Sequence, residues 1–340
     1  MNKKKNIFKF TILLFCFVLL IIVDLNTGHI KIPFQEILKF FSFSSNVSDD
    51  FFILIKEFRV PRVAVAILSG AALSVAGLMM QTLFRNPLAG PYVLGVSSGA
   101  SLGVAIVVLG ASFIFDQETA HSNYLILIAA GLGAAAVLAL ILSVSLRLKD
   151  ILSILIIGIL IAGVVNSIVS ILQYYANDIN VKSYVVWTMG SLNSVSFKDI
   201  TILTPLLLIS IAVIFGMSKS LNLILPGENF AKSMGVNLTK LRILIFIFVS
   251  ILTGAVTAFC GPIGFIGVAA PHVARWFFNT SNHFILIPAS VLLGAVFMLC
   301  GDLFSHIISS NGILPINAIT SILGAPFIVW IVIQNKRTIV

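Results

Sequence analysis

Apolar runs cover most of the chain, and short polar segments rich in glycine and proline separate them. Most runs are about 20 residues long, which is the length that a helix needs to cross a bilayer. A membrane β-barrel would instead show shorter segments of alternating polarity. We therefore predict an all-α polytopic membrane protein that forms a single domain over residues 1–340. The ten predicted spans are residues 7–23, 61–84, 92–115, 123–146, 151–175, 200–217, 242–260, 262–278, 284–308 and 314–334.

Composition and charge agree with this pattern. The chain is 59% hydrophobic and 10% charged, with a mean hydropathy of +1.11, which excludes an ordinary soluble domain. The net charge of +9 does not point to nucleic acid, because the basic residues sort by side of the membrane and share no single face. With both termini in the cytoplasm, fourteen of the 21 lysines and arginines lie inside and seven outside. We therefore predict cytoplasmic termini, a lipid bilayer around the chain and no nucleic-acid partner.

The N-terminal run has two readings. Lys3 to Lys5 precede an apolar stretch that ends at Val23, an arrangement that signal peptides and first membrane spans share. No small-residue cleavage site follows the stretch, so a retained first helix is favoured.

A short amphipathic helix is predicted after the first span. In residues 34–41, Phe34, Ile37, Leu38 and Phe41 recur at helical spacing. The segment either lies on the outer membrane surface or serves only as a connector.

Small residues recur in three spans. The sequences GAVTAFCG at 254–261 and GAVFMLCG at 294–301 nearly match, and GAALSVAG at 70–77 is a looser copy. Glycines seven residues apart fall on one helix face, where two helices can approach closely. The pattern indicates either an internal duplication, which is common in transporters, or the general preference of membrane helices for small residues.

Several predicted spans are interrupted by helix breakers. NPLAGP at 86–91, GPIGFIG at 261–267, Pro271 and Pro326 all fall within apolar sequence. Irregular backbone persists in a membrane only where protein buries it or water reaches it. The clustered breaks therefore suggest a translocation pathway.

Sequence motifs for catalysis are missing. We find no phosphate-binding loop, no HExxH, no nucleophile elbow and no intramembrane pair of carboxylates, so we predict neither ATP hydrolysis nor any other catalysis by this chain. Asp24 and Asp302 are the acidic residues nearest to lipid depth, and Asp302 is expected to bond neighbouring helices in preference to shuttling protons. The five histidines and three cysteines are scattered, so no disulfide, metal site or cofactor is predicted.

The largest polar interruption on the predicted cytoplasmic side is residues 217–242. Within it, ENFAKSMGV is expected to form a short helix that carries Phe230, Ala231 and Met234 on one face and ends at Gly235. An apolar helix in the middle of a charged loop favours docking onto another protein over a solvated connector.

Together these segments resemble the permease subunits of ABC importers for iron-siderophores, haem and vitamin B12. The resemblance extends over essentially the whole chain. It rests on RVPR at 59–62, SGAALSVAGLMMQTLFRNPLAGPYVLGVSSGA at 69–100, WTMGSL at 187–192, AKSMGV at 231–236, GPIGFIGVAAPHVAR at 261–275 and LPINAITSILGAPF at 314–327.

The resemblance implies a homodimer with ten helices per subunit and a central pore. Two ATPase subunits would bind on the cytoplasmic face and a soluble binding protein outside, in a bacterial cytoplasmic membrane. It also implies roles for individual residues. The ATPase-coupling residues are Glu228, Phe230, Ala231, Met234, Gly235, Val236 and Asn237; the cytoplasmic pore gate is Asn86 and Leu88; the binding-protein docking residues are Arg59, Arg62 and His306.

These site residues have alternative roles. Arg59 and Arg62 could snorkel to lipid headgroups, and Asn86 could simply cap the next helix. Three positions also depart from the family pattern: His306 replaces a docking arginine, Ile313 a glutamate and Asn317 a glycine. The resemblance therefore implies an altered docking surface here.

The leading functional hypothesis is a non-enzymatic permease that moves an iron chelate, either a siderophore complex or haem, by alternating access. Cobalamin is the alternative cargo, because the family's binding protein and not its pore carries the affinity. An ion-coupled secondary transporter and an intramembrane enzyme are the competing classes.

Overall fold

The computed structural model describes residues 3–28, 30, 32–42, 48–110, 122–147, 151–308 and 312–335. Every regular element in these ranges is helical, as the apolar pattern predicts. The α-helices are α1 (Lys3–Asn26), α2 (Phe34–Phe41), α3 (Asp49–Ile53), α4 (Val60–Phe84), α5 (Val96–Val108), α6 (Asn123–Arg147), α7 (Ile151–Tyr175), α8 (Asp178–Thr188), α9 (Phe197–Gly216), α10 (Ser218–Ile224), α11 (Glu228–Ser233), α12 (Leu238–Cys260), α13 (Ile266–Phe278), α14 (His283–Ile307) and α15 (Ile316–Asn335).

Seven helical segments within the described ranges are long and apolar enough to cross a membrane. They are Lys4–Asn26, Asp49–Phe84, Tyr124–Ser145, Ser153–Tyr175, Phe197–Gly216, Leu238–Cys260 and His283–Ile307. The other three predicted spans correspond to α5 and α13, which have 13 residues each, and to α15, whose described apolar part is the shorter stretch Ile316–Pro326. The described residues thus form an all-helical structure with several segments that are able to span a membrane, and the count of ten stays a prediction.

Two predicted spans begin later than hydropathy indicates. Residues 92–94 belong to a 3-10 turn and α5 starts only at Val96, after Gly95 takes a positive φ of 71°. Likewise α13 starts at Ile266, because Gly261 and Phe265 have φ values of 74° and 66°. The end of the predicted 92–115 span lies outside the described residues.

Helix α4 lies at the centre of the fold and is almost completely buried. It packs against α14, α13 and α12, whereas α1 lies at the periphery. A Cβ added at Gly70 would overlap the carbonyl oxygen of Gly294, and one at Gly77 would overlap that of Gly267. Two copies of the small-residue repeat, in α4 and α14, therefore form one tight helix–helix contact, as predicted from their glycines.

Helix α2 forms where its amphipathic pattern predicts it. Ile37 is buried, and Glu36 pairs with Lys39 at 2.6 Å. Phe34, Leu38 and Phe41 stay exposed. This exposed apolar face suits a membrane surface, and that location stays a prediction.

Candidate functional site

The predicted coupling segment forms the short helix α11. Within this helix Ala231 is fully buried and Phe230 is 45% exposed, and Met234, directly after the helix, is 57% exposed. The helix ends at Ser233, two residues before the predicted end at Gly235. Gly235 has a φ of 82° and turns the chain, and the Val236 N–H then donates to the Ala231 carbonyl at 3.0 Å. The next helix starts at once, because the Asn237 side chain accepts from Lys240 N–H. The loop thus presents two apolar side chains beside a tight turn.

Side-chain and packing contacts hold α11 in place. Glu228, in its first turn, forms an ion pair with Arg242 of α12, and α11 packs against both α10 and α12. A Cβ at Gly235 would meet no atom within 4 Å. The surface around Met234 and Gly235 is therefore held in place by these contacts, and it leaves space for a partner protein.

The predicted gate lies in a turn just after α4. Arg85 ends the helix in the left-handed region, with φ 48°. The Asn86 side chain then accepts the Leu88 N–H at 2.9 Å, and the Asn86 carbonyl accepts the Ala89 N–H at 3.1 Å. Asn86 thus stabilises its own turn and does not cap the start of α5. Leu88 is left exposed, and Arg85 Nη2 donates to the Ile224 carbonyl of α10 at 3.3 Å.

At the opposite end of α4, Arg62 forms the centre of a buried ion cluster. Its Nη2 donates to the Asp24 carbonyl at 2.7 Å and to Asp24 Oδ1 at 3.1 Å. Its Nε lies 2.9 Å from Asp302 Oδ2, and its Nη1 contacts His306 Nε2 at 2.9 Å. A single guanidinium therefore links the end of α1 with α4 and α14.

The predicted docking residues come together in this cluster, but they are not at the surface of the chain. Arg59 and Arg62 are each only 3% exposed. Arg59 Nη2 donates to the Ile30 carbonyl at 2.9 Å, and its guanidinium packs against Gly28. Burial of this degree is incompatible with snorkelling to lipid headgroups. Docking through these arginines stays a prediction, and it requires residues 24–28 and 30, which cover them, to move.

Sequence reasoning missed that two carboxylates meet at one arginine. Asp24 and Asp302 were treated as separate, and no intramembrane pair was expected, yet both flank Arg62 and both are buried. The available signal was that a lone charge in an apolar span needs an opposite charge at the same depth. Asp302 does bond neighbouring helices, as expected, but through an ion pair with α4.

One departure from the family pattern, Asn317, has a structural role. Its Oδ1 accepts the Gly264 N–H at 3.0 Å, and its own N–H donates to the Met189 carbonyl at 3.2 Å. The amide therefore ties α15 to the WTMGSL turn and to the GPIGFIG break. A glycine could make only the backbone half of this link.

The comparisons with known proteins agree with this architecture. Residues 15–334 match the FecCD transport family. The chain belongs to that family. Among its relatives, the haemin transport system permease protein of Yersinia pestis is 29% identical over 327 residues, covering 95% of each chain. The iron(III) dicitrate transport system permease protein of Escherichia coli is 32% identical over 280 residues, covering 82% of each.

The FecCD assignment extends to the three-dimensional fold. A solved structure of a transporter assigned to the metal-chelate ABC type, in an inward-facing conformation, superposes with a TM-score of 0.82. It is 28% identical in sequence and covers 95% of this chain and 97% of its own. The chain therefore shares the fold of that structure over nearly its whole length.

Proposed function

We propose that this chain is the permease subunit of an ABC importer that moves an iron chelate, either a siderophore complex or haem, across the cytoplasmic membrane by alternating access. The observation that carries the proposal is the exposed apolar helix α11 in a charged loop, on a chain of the FecCD family. Relatives named for haemin and for iron(III) dicitrate support an iron chelate as the cargo class.

In this proposal, energy comes from a separate ATPase. Phe230 and Met234 would insert into a groove of that partner, and Gly235 would let its surface approach closely. ATP-driven closure of two ATPase subunits would move α11 and change the access of the pore. A second copy of the chain would complete the pore, with Asn86 and Leu88 at its cytoplasmic constriction.

The proposed docking site for the soluble binding protein lies around Arg59, Arg62 and His306. Guanidinium groups suit acidic partners, because they donate forked charge-assisted hydrogen bonds. In the free subunit Arg62 is paired internally, whereas the Nη1 of Arg59 has no hydrogen-bond partner among the described residues. Arg59 is therefore the better candidate for a direct contact.

Reconstitution tests the proposal. The chain is incorporated into liposomes with the ATPase and binding protein from neighbouring coding sequences, and uptake of radiolabelled haemin and iron(III) dicitrate is measured. We expect uptake only with ATP and all partners present. Uptake by the chain alone, driven by an ion gradient, would instead establish a secondary transporter.

A further inference from the structure

A chain of side-chain hydrogen bonds joins three helices near the predicted gate. Thr82 Oγ1, in the last turn of α4, lies 2.8 Å from His283 Nε2 at the start of α14. His283 Nδ1 lies 2.9 Å from Asn222 Oδ1 in α10. The Asn222 amide nitrogen donates in turn to Asn282 Oδ1 at 2.9 Å.

The pattern of neighbours determines the direction of these bonds. Asn282 Oδ1 also accepts the Phe284 N–H, so it is an acceptor for Asn222. Asn222 Oδ1 accepts the His283 main-chain N–H at 2.8 Å, so it must also accept from Nδ1. A neutral His283 ring therefore carries its proton on Nδ1 and leaves Nε2 as an acceptor. The single proton of the Thr82 hydroxyl is then shared between His283 Nε2 at 2.8 Å and the Leu78 carbonyl of its own helix at 2.9 Å.

The inner half of this network is buried. His283 is only 1% exposed and Thr82 is also buried, whereas Asn222 and Asn282 are half-buried. A hydrogen bond between groups that are shielded from water fixes their relative position more tightly than an apolar contact does, because breaking the bond leaves buried polar groups without partners. α4, α14 and α10 therefore cannot slide past each other here without breaking a bond.

The position of the network connects two proposed functional elements. Asn222 lies in α10, which packs directly against α11. Thr82 lies in the last turn of α4, four residues before Asn86 of the turn that follows this helix. A parallel link joins Arg85 to the Ile224 carbonyl of α10. Movement of α11 can therefore reach α10 through packing, and the gate turn from α10 through these hydrogen bonds.

We infer that Thr82, His283 and Asn222 form a polar relay that transmits movement of the ATPase-contacting helix α11 to the gate at Asn86 and Leu88. The inference rests on the proposed function, since it needs an ATPase at α11. These three are positioning residues: they touch neither ATP nor cargo, and they act by making α10, α14 and α4 move together.

The test uses the assembled complex with a fluorescent reporter at Leu88→Cys, in a background without the native cysteines. Addition of ATP should change the reporter signal in the otherwise unmodified complex. Thr82→Val removes the hydroxyl while keeping the shape of the side chain, and Thr82→Ser restores it. We expect Thr82→Val to reduce the ATP-dependent signal at least about fivefold, in line with typical coupling energies, with assembly and ATP hydrolysis retained and with the signal recovered in Thr82→Ser.

A matched control separates a relay from the mere loss of a buried hydroxyl. Ser290→Ala removes a fully buried hydroxyl from α14 whose oxygen has no hydrogen-bond partner in the described part of the chain. It should leave the reporter response unchanged. Asn222→Leu should reduce the response as Thr82→Val does, and it carries the test if Thr82→Val fails to assemble.

The double variant is decisive, because coupling claims need coupling measurements. If both residues belong to one relay, Thr82→Val with Asn222→Leu should lose no more signal than either single variant. If the signal losses of the two single variants multiply in the double variant, or if both single variants respond normally, the relay is overturned. Failure of the unmodified chain to bind any ATPase would instead overturn the proposed function.

Discussion

At the scale of single residues, Arg62 shows why a buried charge needs to be completely paired. Its guanidinium lies among Asp24, Asp302 and His306. Its Nη2 alone donates to three oxygens, which are the main-chain carbonyls of Asp24 and Thr27 and the Oδ1 of Asp24. Removing one partner of a buried ion pair costs more than removing all of them, because an uncompensated charge remains. The cluster therefore stabilises the junction of α1, α4 and α14 only while it is complete.

We accordingly expect Arg62→Met to lower the free energy of unfolding by about 3–5 kcal/mol. The measurement is thermal unfolding of the purified chain in detergent. Arg59→Met is the matched control: among the described residues, the Arg59 side chain donates one hydrogen bond, to the Ile30 carbonyl, so its removal should cost less. Adding Asp302→Asn to Arg62→Met should recover part of the loss. Equal stability of Arg62→Met and the unmodified chain would contradict the structural role of the cluster.

At the scale of helices, backbone contact between α4 and α14 depends on Gly70 and Gly294. A Cβ added at either glycine would overlap the carbonyl oxygen of the other. We expect Gly70→Ala to destabilise the chain by about 1–3 kcal/mol through overpacking, as measured by thermal unfolding in detergent. Gly131 lies in α6 with no atom within 4 Å of its added Cβ. Gly131→Ala should therefore be neutral or stabilising, and an equal loss in both variants would contradict this explanation.

The coupling helix α11 gives a second prediction at this scale. Met234→Glu places a charge on the exposed apolar surface and should abolish capture of the ATPase in a pull-down, while the chain stays folded. Gly235→Arg should do the same, but its φ of 82° adds backbone strain. Gly235→Asn is the control, because asparagine tolerates the left-handed region. Undiminished ATPase capture by Met234→Glu would move the interface away from α11.

At the scale of the whole molecule, the sequence predicts which segments are helical but not which charges meet. Apolar length is a local property, and Ile151–Tyr175 is helical over the predicted residues. The starts of α5 and α13 were wrong because Gly95 and Phe265 adopt left-handed angles, which hydropathy does not encode. The short helix α11 could be predicted from its local pattern.

The contacts at each end of α4 depend on which helices are neighbours. Asp24 and Asp302 lie far apart in the sequence, and so do Thr82 and His283. A single sequence carries no distances between such residues. It shows only that isolated polar groups in apolar spans must find partners somewhere. The relay and the ion cluster therefore become visible only once the helices are packed.

The orientation of the whole chain can be tested across one helix. Lys198 lies in the first turn of α9, and Lys219 lies in α10, three residues after the end of α9; both are exposed. The 20 residues of α9 between them extend about 30 Å. The basic-residue distribution places Lys219 in the cytoplasm and Lys198 outside. In a background with Cys16, Cys260 and Cys300 replaced, an impermeant maleimide should label Lys219→Cys in inside-out vesicles and Lys198→Cys in right-side-out vesicles.

α10 and α11 follow α9 directly, so the same result places the ATPase surface and the gate turn bonded to α10 in the cytoplasm. The reverse labelling would mean that the chain has the opposite orientation in the membrane, with α11 out of reach of any cytoplasmic ATPase.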